Sequence, residues 1–457
     1  MIYNVKDFGT IADGEILNTK AVQKAVDECS VNGGGIVRFD KGRYALSTVF
    51  LKNNVTIEIP EGTEILGAES YYDYAQEEKV DYPIYQDSSH TYFHPSLFVG
   101  IDCENIKITG GGKIDMRSVW DEDGVRGEAI KHRGAKCIAL KNCKNVEISH
   151  LEIYNVTDLA IYFAGCENVD ICSIKMRVYI DGISPDNSKN VRIHDCDVET
   201  GDDGIVFKSS YTLNRLDICE DIHVWNCKVK SRCNAVKFGT DTNGGFEDIL
   251  IENIQIRETR ITGISIESVD GAIVDGITIR NVKMQNANAP IFIHVGKRMR
   301  GPEGRVVGKI KNILLENITA DGPYEEYEIM PWNYFSYKVG DTRQNPKVFG
   351  IAESFDGTKE TNDWQMTSNI CGLKESPLEN ITLRNVHLQL DGGVQEYKKD
   401  VPEEAQDYPE VFVYGRILPA KGIYFRHIND LTLDNVTIET YREDARADFL
   451  LENVKVI

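Results

Sequence analysis

A short phrase returns along most of the chain: a polar Asn or Asp, followed by apolar residues at every second position. Clear copies are KNVEISHLEI at Asn145 and ENVDICSIKM at Asn168, and the central copies lie about 22 to 31 residues apart. The polar residues that open the copies are Asn54, Asn105, Asn145, Asn168, Asn190, Asp221, Asp248, Asp275, Asn312, Asn380 and Asp430. Such alternation is typical of β-strands, and repeats of this length are typical of solenoids. Because a lone strand cannot bury its apolar side, the copies should stack coil on coil into parallel strands with one core.

The repeat favours a right-handed parallel β-helix over other repeat folds. A leucine-rich repeat would carry a helix or a fixed leucine pattern in each unit, and a β-propeller would need about four strands per blade at longer periods. We therefore expect an all-β protein with a single domain over residues 1–457, opened by a cap and first coil over residues 1–50. A short helix, capped by Asn18 or Thr19, should cover the open coil end there. Its apolar face would consist of Ala21, Val22, Ala25, Val26 and Cys29.

Two long insertions interrupt the later copies, at residues 320–372 and 391–420. Long loops on a rigid solenoid usually carry function. The first insertion is rich in aromatic residues, namely Trp332, Tyr334, Phe335 and Tyr337. They would either form a stacking surface for sugar rings or simply pack the loop onto the β-helix.

Composition narrows the class of partner and the compartment. The formal net charge of -21 argues against nucleic acid or an anionic membrane surface as the partner. The sequence has no apolar run long enough to span a membrane, and its first residues do not resemble a secretory signal. Eleven scattered cysteines suggest buried, reduced thiols. We expect a cytoplasmic protein, or a secreted one if a signal peptide was removed, and the sequence leaves the oligomeric state open.

Three carboxylates stand out, at Asp181, Asp202 and Asp203. Asp181 and Asp202 are 21 positions apart, close to the local repeat, so they should lie on neighbouring coils. The glycines at 201 and 204 would allow the bend that brings both Asp202 and Asp203 to one side. Acids gathered in this way repel one another, which raises at least one pKa, as a general acid requires. Taken singly, an Asp–Gly pair is more typical of a turn; the three together fit the two carboxyl roles of glycoside hydrolysis.

The segment that holds these acids, DGISPDNSKNVRIHDCDVETGDDGIVFKS, resembles the central signature of the polygalacturonase family, glycoside hydrolase family 28. The resemblance extends to the DFG, ADG and NT residues of the opening, to TGGGKID at residues 109–115, and to YGRILPAKGIYFRH near the end. It implies that Asp202 is the general acid, that Asp181 and Asp203 hold the attacking water, and that the anomeric configuration inverts. It implies no metal and no cofactor.

The chain departs from this family at its basic motifs. Asn234 and Ala235 stand where the family has His-Gly, and Ser265 and Glu267 stand where it has the Arg and Lys of Arg-Ile-Lys. In the family, this Arg and Lys bind the carboxylate of a galacturonate unit, whereas a glutamate in their place would repel it.

Other groups on successive coils are candidates to compensate for the missing pair. The set of possible substrate-binding residues comprises Lys208, Asn234, Lys237, Glu267, His294, Arg298, Arg426 and His427. Each charged residue in this set could equally be a solvated or structural charge. His294 or His427 could equally be a histidine buried in the core. No Cys-x-x-Cys or His/Cys ligand spacing indicates a metal site.

These features predict a glycoside hydrolase that acts on pectin-type oligosaccharides or polysaccharides, inverting and exo-acting, with the late loops closing one end of the cleft. A polysaccharide lyase shares the β-helix and would use Lys208 or Lys237 as its base. A non-catalytic glycan-binding β-helix is the third alternative, and it would be indifferent to loss of the Asp202 carboxyl.

Overall fold

The computed structural model describes residues 1–120, 133–322, 366–403 and 408–457. Within these ranges the regular structure is almost all β-strand, with a single α-helix, α1 (Thr19–Val31), and 3-10 turns at Val5–Phe8, Tyr71–Asp73 and Ser88–His90. The strands, in chain order, are β1 (Ile2–Asn4), β2 (Asp13–Leu17), β3 (Gly35–Arg38), β4 (Gly42–Leu46), β5 (Val49–Phe50), β6 (Val55–Glu58), β7 (Thr63–Gly67), β8 (Ser96–Ile101), β9 (Glu104–Thr109), β10 (Lys113–Asp115), β11 (Lys136–Lys141), β12 (Lys144–Tyr154), β13 (Ile161–Ala164), β14 (Glu167–Val178), β15 (Ile183–Asp186), β16 (Lys189–His194), β17 (Asp197–Thr200), β18 (Ile205–Ser209), β19 (Ile218–Trp225), β20 (Lys228–Ser231), β21 (Asn234–Thr242), β22 (Gly245–Ser268), β23 (Ile273–Val295), β24 (Lys309–Asp321), β25 (Ser368–Cys371), β26 (Leu378–Gly392), β27 (Ala420–Arg442) and β28 (Ala447–Val456).

The chain forms two compact units. The first comprises Met1–Thr200, Tyr211–Arg215 and Glu220–Cys227; the second comprises Gly201–Ser210, Leu216–Cys219 and Lys228–Ile457. The prediction of a single domain is not tested by this division and stays a prediction.

In the first unit, β9, β12, β14, β16 and β19 pair in parallel, one strand per coil. Their register aligns the buried side chains Ile106, Val146, Val169, Val191 and Ile222 in one column. Each of these residues follows the polar residue that opens a copy of the repeat, so the predicted stacking of alternating strands into a parallel core is confirmed.

The second unit has the same organisation. Its strands β22, β23, β24, β26 and β27 pair in parallel. The corresponding column there consists of Ile249, Ile277, Ile313, Ile381 and Leu431, all buried.

The asparagines of the repeat form ladders at the coil corners. In the first unit, Asn105, Asn145, Asn168 and Asn190 each donate from Nδ2 to Oδ1 of the asparagine one coil earlier, at 2.5–3.0 Å. All four adopt a left-handed backbone (φ 51–58°) that asparagine tolerates better than most residues. In the copy at Asp275 the left-handed position belongs to Gly276 (φ 73°), and the Asp275 carboxylate accepts a hydrogen bond from the Asn312 amide.

Helix α1 lies against β1, β3, β5 and β6, as expected of a cap on the first coils. Of the predicted apolar face of the helix, Val22, Ala25, Val26 and Cys29 are buried, whereas Ala21 is half-buried. Asn18 has the predicted N-cap position, but its side chain makes no capping hydrogen bond: its amide bonds instead to the backbone of Ile11 and Ile16. Thr19 Oγ1 is likewise engaged elsewhere, with Ser47.

The late insertions are only partly described. Trp332, Tyr334, Phe335 and Tyr337 lie outside the described residues. All eleven cysteines lie inside them, and no disulfide forms among these residues. No helix in the described part of the chain is long and apolar enough to cross a membrane.

Candidate active site

Asp181, in the first unit, follows β14 and is only 4% exposed. Its backbone oxygen accepts a hydrogen bond from Ala160 N, and its Oδ2 lies 4.0 Å from Nε2 of the equally buried His90. The His90 ring packs edge-on against Tyr162, whose single hydroxyl hydrogen is shared between the His90 backbone oxygen at 2.8 Å and Asp186 Oδ2 at 3.1 Å. His90 therefore belongs to the immediate surroundings of Asp181. It comes from a non-repeating segment far upstream, and the sequence analysis missed it.

Asp202 and Asp203, in the second unit, lie just before β18. Asp202 is half-buried, and its backbone oxygen accepts a hydrogen bond from Ser231 Oγ at 2.6 Å. At Gly204 there is no room for a side chain, because a Cβ there would lie 2.4 Å from Val229 Cγ1 and 2.6 Å from Ala235 O. The backbone bend that we expected from the two glycines stays a prediction. The approach of Asp181 to this pair stays a prediction.

Asp203 is held by two hydrogen bonds to one oxygen. Its Oδ1 accepts from the backbone N of Asn234 at 3.1 Å and from Asn234 Nδ2 at 2.8 Å. Asn234 Oδ1 in turn accepts from Thr262 Oγ1 one coil further on. Asn234, a candidate substrate contact because it replaces the family's histidine, thus orients Asp203.

The Asp203 Oδ2 atom faces an ammonium group. Lys237 Nζ lies 3.6 Å from it, 3.6 Å from Glu267 Oε1 and 2.7 Å from Glu410 Oε1. Lys237, Glu267 and Glu410 are all less than 5% exposed. Burial by itself lowers the pKa of a lysine, but the three carboxylates reverse this effect and hold the pKa of Lys237 well above its ordinary value. The cluster therefore contains a permanently charged lysine.

Burial favours the neutral form of Glu267, in contrast to the charged form of Lys237. Burial, together with the nearby Glu410 and Asp203, raises the pKa of Glu267 to about 8 against the opposing effects of Lys237 and a hydrogen bond from Ser265 Oγ. Its Oε2 atom is buried without a hydrogen-bond partner among the described residues, and a Cβ on Gly239 would lie 3.0 Å from it. Glu267 thus holds a proton more tightly than an ordinary glutamate, which reduces the repulsion of a substrate carboxylate that we expected from an ionised glutamate.

Glu410 reaches this cluster from the insertion before β27. Its neighbour Val411 is buried with Cys233, Ile261 and Phe292, and Tyr414 is buried with Cys371 and Tyr424. The described part of this loop therefore packs on β22, β23 and β27. This packing explains how Lys237 and Glu267 become buried. Burial also raises the pKa of Glu410, against the effect of Lys237. The sequence analysis missed Glu410 because an insertion offers no repeat register.

The remaining candidates lie along the same strands. The register places Glu267, His294, Cys371 and Arg426 in one column across β22, β23, β25 and β27. Lys208, at the end of β18, donates from Nζ to Gly239 O at 3.1 Å. His294 Nδ1 lies 3.1 Å from the Tyr414 hydroxyl.

Three of the candidates are engaged by other protein groups. Arg298 binds the Asp270 carboxylate and Thr240 O. The Arg426 guanidinium donates to two backbone oxygens, those of Val401 and Pro402, and to Glu452. His427 lies between Glu403 and Asn453. These contacts suit structural roles, and substrate binding by the three stays a prediction.

Comparison with known proteins identifies the family and supports the fold. The model of the glycosyl hydrolases family 28 matches residues 54–329. An exo-poly-alpha-D-galacturonosidase of Dickeya chrysanthemi is 25% identical over 341 residues, which cover 62% of this chain and 55% of that relative. A probable polygalacturonase of Vitis vinifera is 25% identical over 403 residues, which cover 84% of this chain and 73% of the relative.

Two solved structures share the fold. The exopolygalacturonase of Thermotoga maritima superposes with a TM-score of 0.68 at 18% identity, over 96% of this chain and 92% of its own. The family 28 exopolygalacturonase of Yersinia enterocolitica superposes with a TM-score of 0.69 at 20% identity, over all of this chain and 78% of its own. The fold is thus a right-handed parallel β-helix, and the class is that of the glycoside hydrolases. The chain belongs to glycosyl hydrolases family 28.

Proposed function

We propose that this chain hydrolyses galacturonan-type pectic oligosaccharides from their ends, with inversion at the anomeric carbon. The observation that carries the proposal is the fixed position of Asp203, whose Oδ1 accepts two hydrogen bonds from Asn234 while its Oδ2 faces Lys237. A carboxylate held in this way is suited to orient a water molecule and accept its proton. The names of the relatives in Dickeya and in Vitis support the substrate class.

In this proposal the adjacent, half-buried Asp202 protonates the leaving glycosidic oxygen. Asp203 and Asp181 hold and activate the attacking water on the opposite face of the sugar ring. This division of roles follows the family resemblance and matches the inverting use of two carboxyl groups. The reaction needs only these carboxyl groups and water.

A uronate substrate is compatible with the altered basic motifs. The raised pKa of Glu267 favours its neutral form, and Lys237 supplies a positive charge in the same buried cluster. The presence of Glu267 where the family has a lysine therefore does not by itself exclude binding of a galacturonate ring. Lys237 is disfavoured as the base of a lyase, because that base must be an unprotonated amine and the pKa of Lys237 is held high by Asp203, Glu267 and Glu410.

Product analysis on homogalacturonan and rhamnogalacturonan oligosaccharides tests the proposal. We expect new reducing ends, release of units from one chain end, and no unsaturated product that absorbs in the near ultraviolet. NMR of the first product should show the anomer opposite to that of the substrate bond. An unsaturated product would instead establish a lyase, and the retained anomer would exclude the assigned roles.

A further inference from the structure

A second cluster of chemically capable side chains lies in the first unit, on β14 and β16. Parallel pairing places Cys172 opposite His194, and Asp170 is two residues before Cys172 on the same strand. One ligand atom from each of Asp170, Cys172 and His194 lies within 4.8 Å of the others. Cys172 is the only one of the eleven cysteines that is not fully buried.

The His194 ring is fixed on both of its nitrogen atoms. Nδ1 lies 2.7 Å from Asp195 Oδ2, so it donates its hydrogen to that carboxylate. Trp225, one coil further on, stacks on the ring at 4.2 Å with an interplanar angle of 9°. Nε2 then lies 3.3 Å from Asp170 Oδ1.

The atoms that surround Nε2 are of the kinds that bind metal ions. With Nδ1–H donated to Asp195, Nε2 is the ring nitrogen left to act as a ligand. Asp170 Oδ1 is shielded from solvent and has no hydrogen-bond partner among the described residues. The Cys172 sulfur completes a set of three ligand-type atoms within 4.8 Å of one another.

We propose that Asp170, Cys172 and His194 bind one divalent zinc-like ion, with water as the fourth ligand. Nitrogen, oxygen and sulfur are the ligand set that Zn²⁺ prefers, and the thiolate selects against Mg²⁺ and Ca²⁺. Asp195 orients the imidazole, as carboxylates behind metal-bound histidines commonly do. The site goes beyond the proposed hydrolase and does not depend on it.

The surroundings of the cluster are compatible with a cation. Glu147, which pairs with Asp170 across β12 and β14, already forms an ion pair with Lys107 and accepts a hydrogen bond from Ser149. The pattern escaped the sequence analysis because its cysteine and histidine come from different coils.

Titration of the chelator-treated, full-length chain with Co²⁺, a spectroscopic substitute for Zn²⁺, tests the proposal. We expect one equivalent to bind with a thiolate-to-cobalt charge-transfer band. The band should vanish in Cys172→Ser and His194→Gln, and Asp195→Asn should weaken binding by about 10–100-fold. Matched controls are Cys103→Ser, a buried cysteine elsewhere in the unit, and the exposed His150→Gln; both should bind like wild type.

Thermal unfolding provides a second readout that does not involve activity. Added Zn²⁺ should raise the Tm of wild type and of both controls, and it should leave the Tm of Cys172→Ser and His194→Gln unchanged. Absence of a thiolate band in wild type, or an unchanged band in Cys172→Ser, would overturn the proposal. Because the variants change half-buried polar side chains, their metal-free Tm should stay close to that of wild type.

Discussion

Lys237 Nζ lies 2.7 Å from Glu410 Oε1 and thereby connects strand β21 to the loop that precedes β27. The two residues are 173 positions apart in the sequence. The same ammonium faces Asp203 and Glu267, so one buried cation compensates several carboxyl groups. The stability of the second unit and the orientation of a catalytic carboxylate should therefore depend on the same side chain.

Replacement of Lys237 by Met should destabilise the protein by about 3–5 kcal/mol, because it leaves buried carboxylates without their cation. The double variant Lys237→Met/Glu410→Gln should lose less stability than the sum of the two single changes, because each single change removes the same ion pair. Urea unfolding of the four proteins measures this coupling. Strict additivity would show that the ion pair contributes nothing.

The raised pKa of Glu267 predicts that stability falls as pH rises. The folded state holds a proton on Glu267 up to a pKa of about 8, whereas the unfolded chain releases it near 4.5. Between these values the folded state binds more protons, so this group's contribution is complete below the unfolded pKa and declines by up to about 1.4 kcal/mol per pH unit. It is lost as pH rises through 8.

The neutral variant Glu267→Gln should lack this component. Urea unfolding at several pH values between 5.5 and 8.5 measures the difference, with wild type losing stability relative to the variant as pH rises. Parallel pH curves for the two proteins would contradict the assignment of a buried, protonated glutamate.

His90 should support catalysis through Asp181. Its Nε2 lies 4.0 Å from Asp181 Oδ2, a distance that suits a bridging water rather than a direct hydrogen bond. We expect His90→Gln to lower kcat by up to about 10²-fold through misplacement of that carboxylate, with little change in KM. The control is His94→Gln, from the same segment, whose ring bonds to the backbone of Gln76. Equal effects of the two changes would assign His90 to packing alone.

The asparagine ladder should stabilise the β-helix through both backbone conformation and amide hydrogen bonds. Asn168 has φ 58° and bonds through its side chain to Asn145 and Asn190. Asn168→Ala should cost about 2–3 kcal/mol, from left-handed strain and two lost hydrogen bonds. Asn168→Gly removes the hydrogen bonds without the strain, so it should cost less in urea unfolding. Equal costs would show that the backbone conformation contributes little.

The stacking of the coils was predictable because every copy of the repeat has the same pattern of polar and apolar residues. Alternation fixes which side chains point inward, and Asn at the corner fixes the left-handed turn. The closeness of Asp181 and Asp202 that the repeat length predicts stays a prediction. At the helix start, Asn18 has the predicted N-cap position, but its side chain is better satisfied by the backbone of Ile11 and Ile16 than by the helix end.

The polar contacts across coils and loops were not predictable. Asn234 meets Asp203 across 31 positions and Glu410 across 176. The separation of 31 positions matches the length of one coil, but it does not predict which side chains form hydrogen bonds. The separation of 176 positions is bridged only because of how an insertion folds. The charge of Glu267 was misjudged for the same reason, because its proton is retained through burial that the sequence does not reveal.

The most direct test of the proposed hydrolase compares wild type with Asp202→Asn on a pectic oligosaccharide that wild type cleaves. The amide is nearly isosteric but cannot donate a proton to the leaving oxygen, so kcat should fall by about 10²–10⁴-fold with KM nearly unchanged. Asp197→Asn, on the exposed side of β17, is the matched control and should retain full activity. Wild-type turnover by Asp202→Asn would contradict the account.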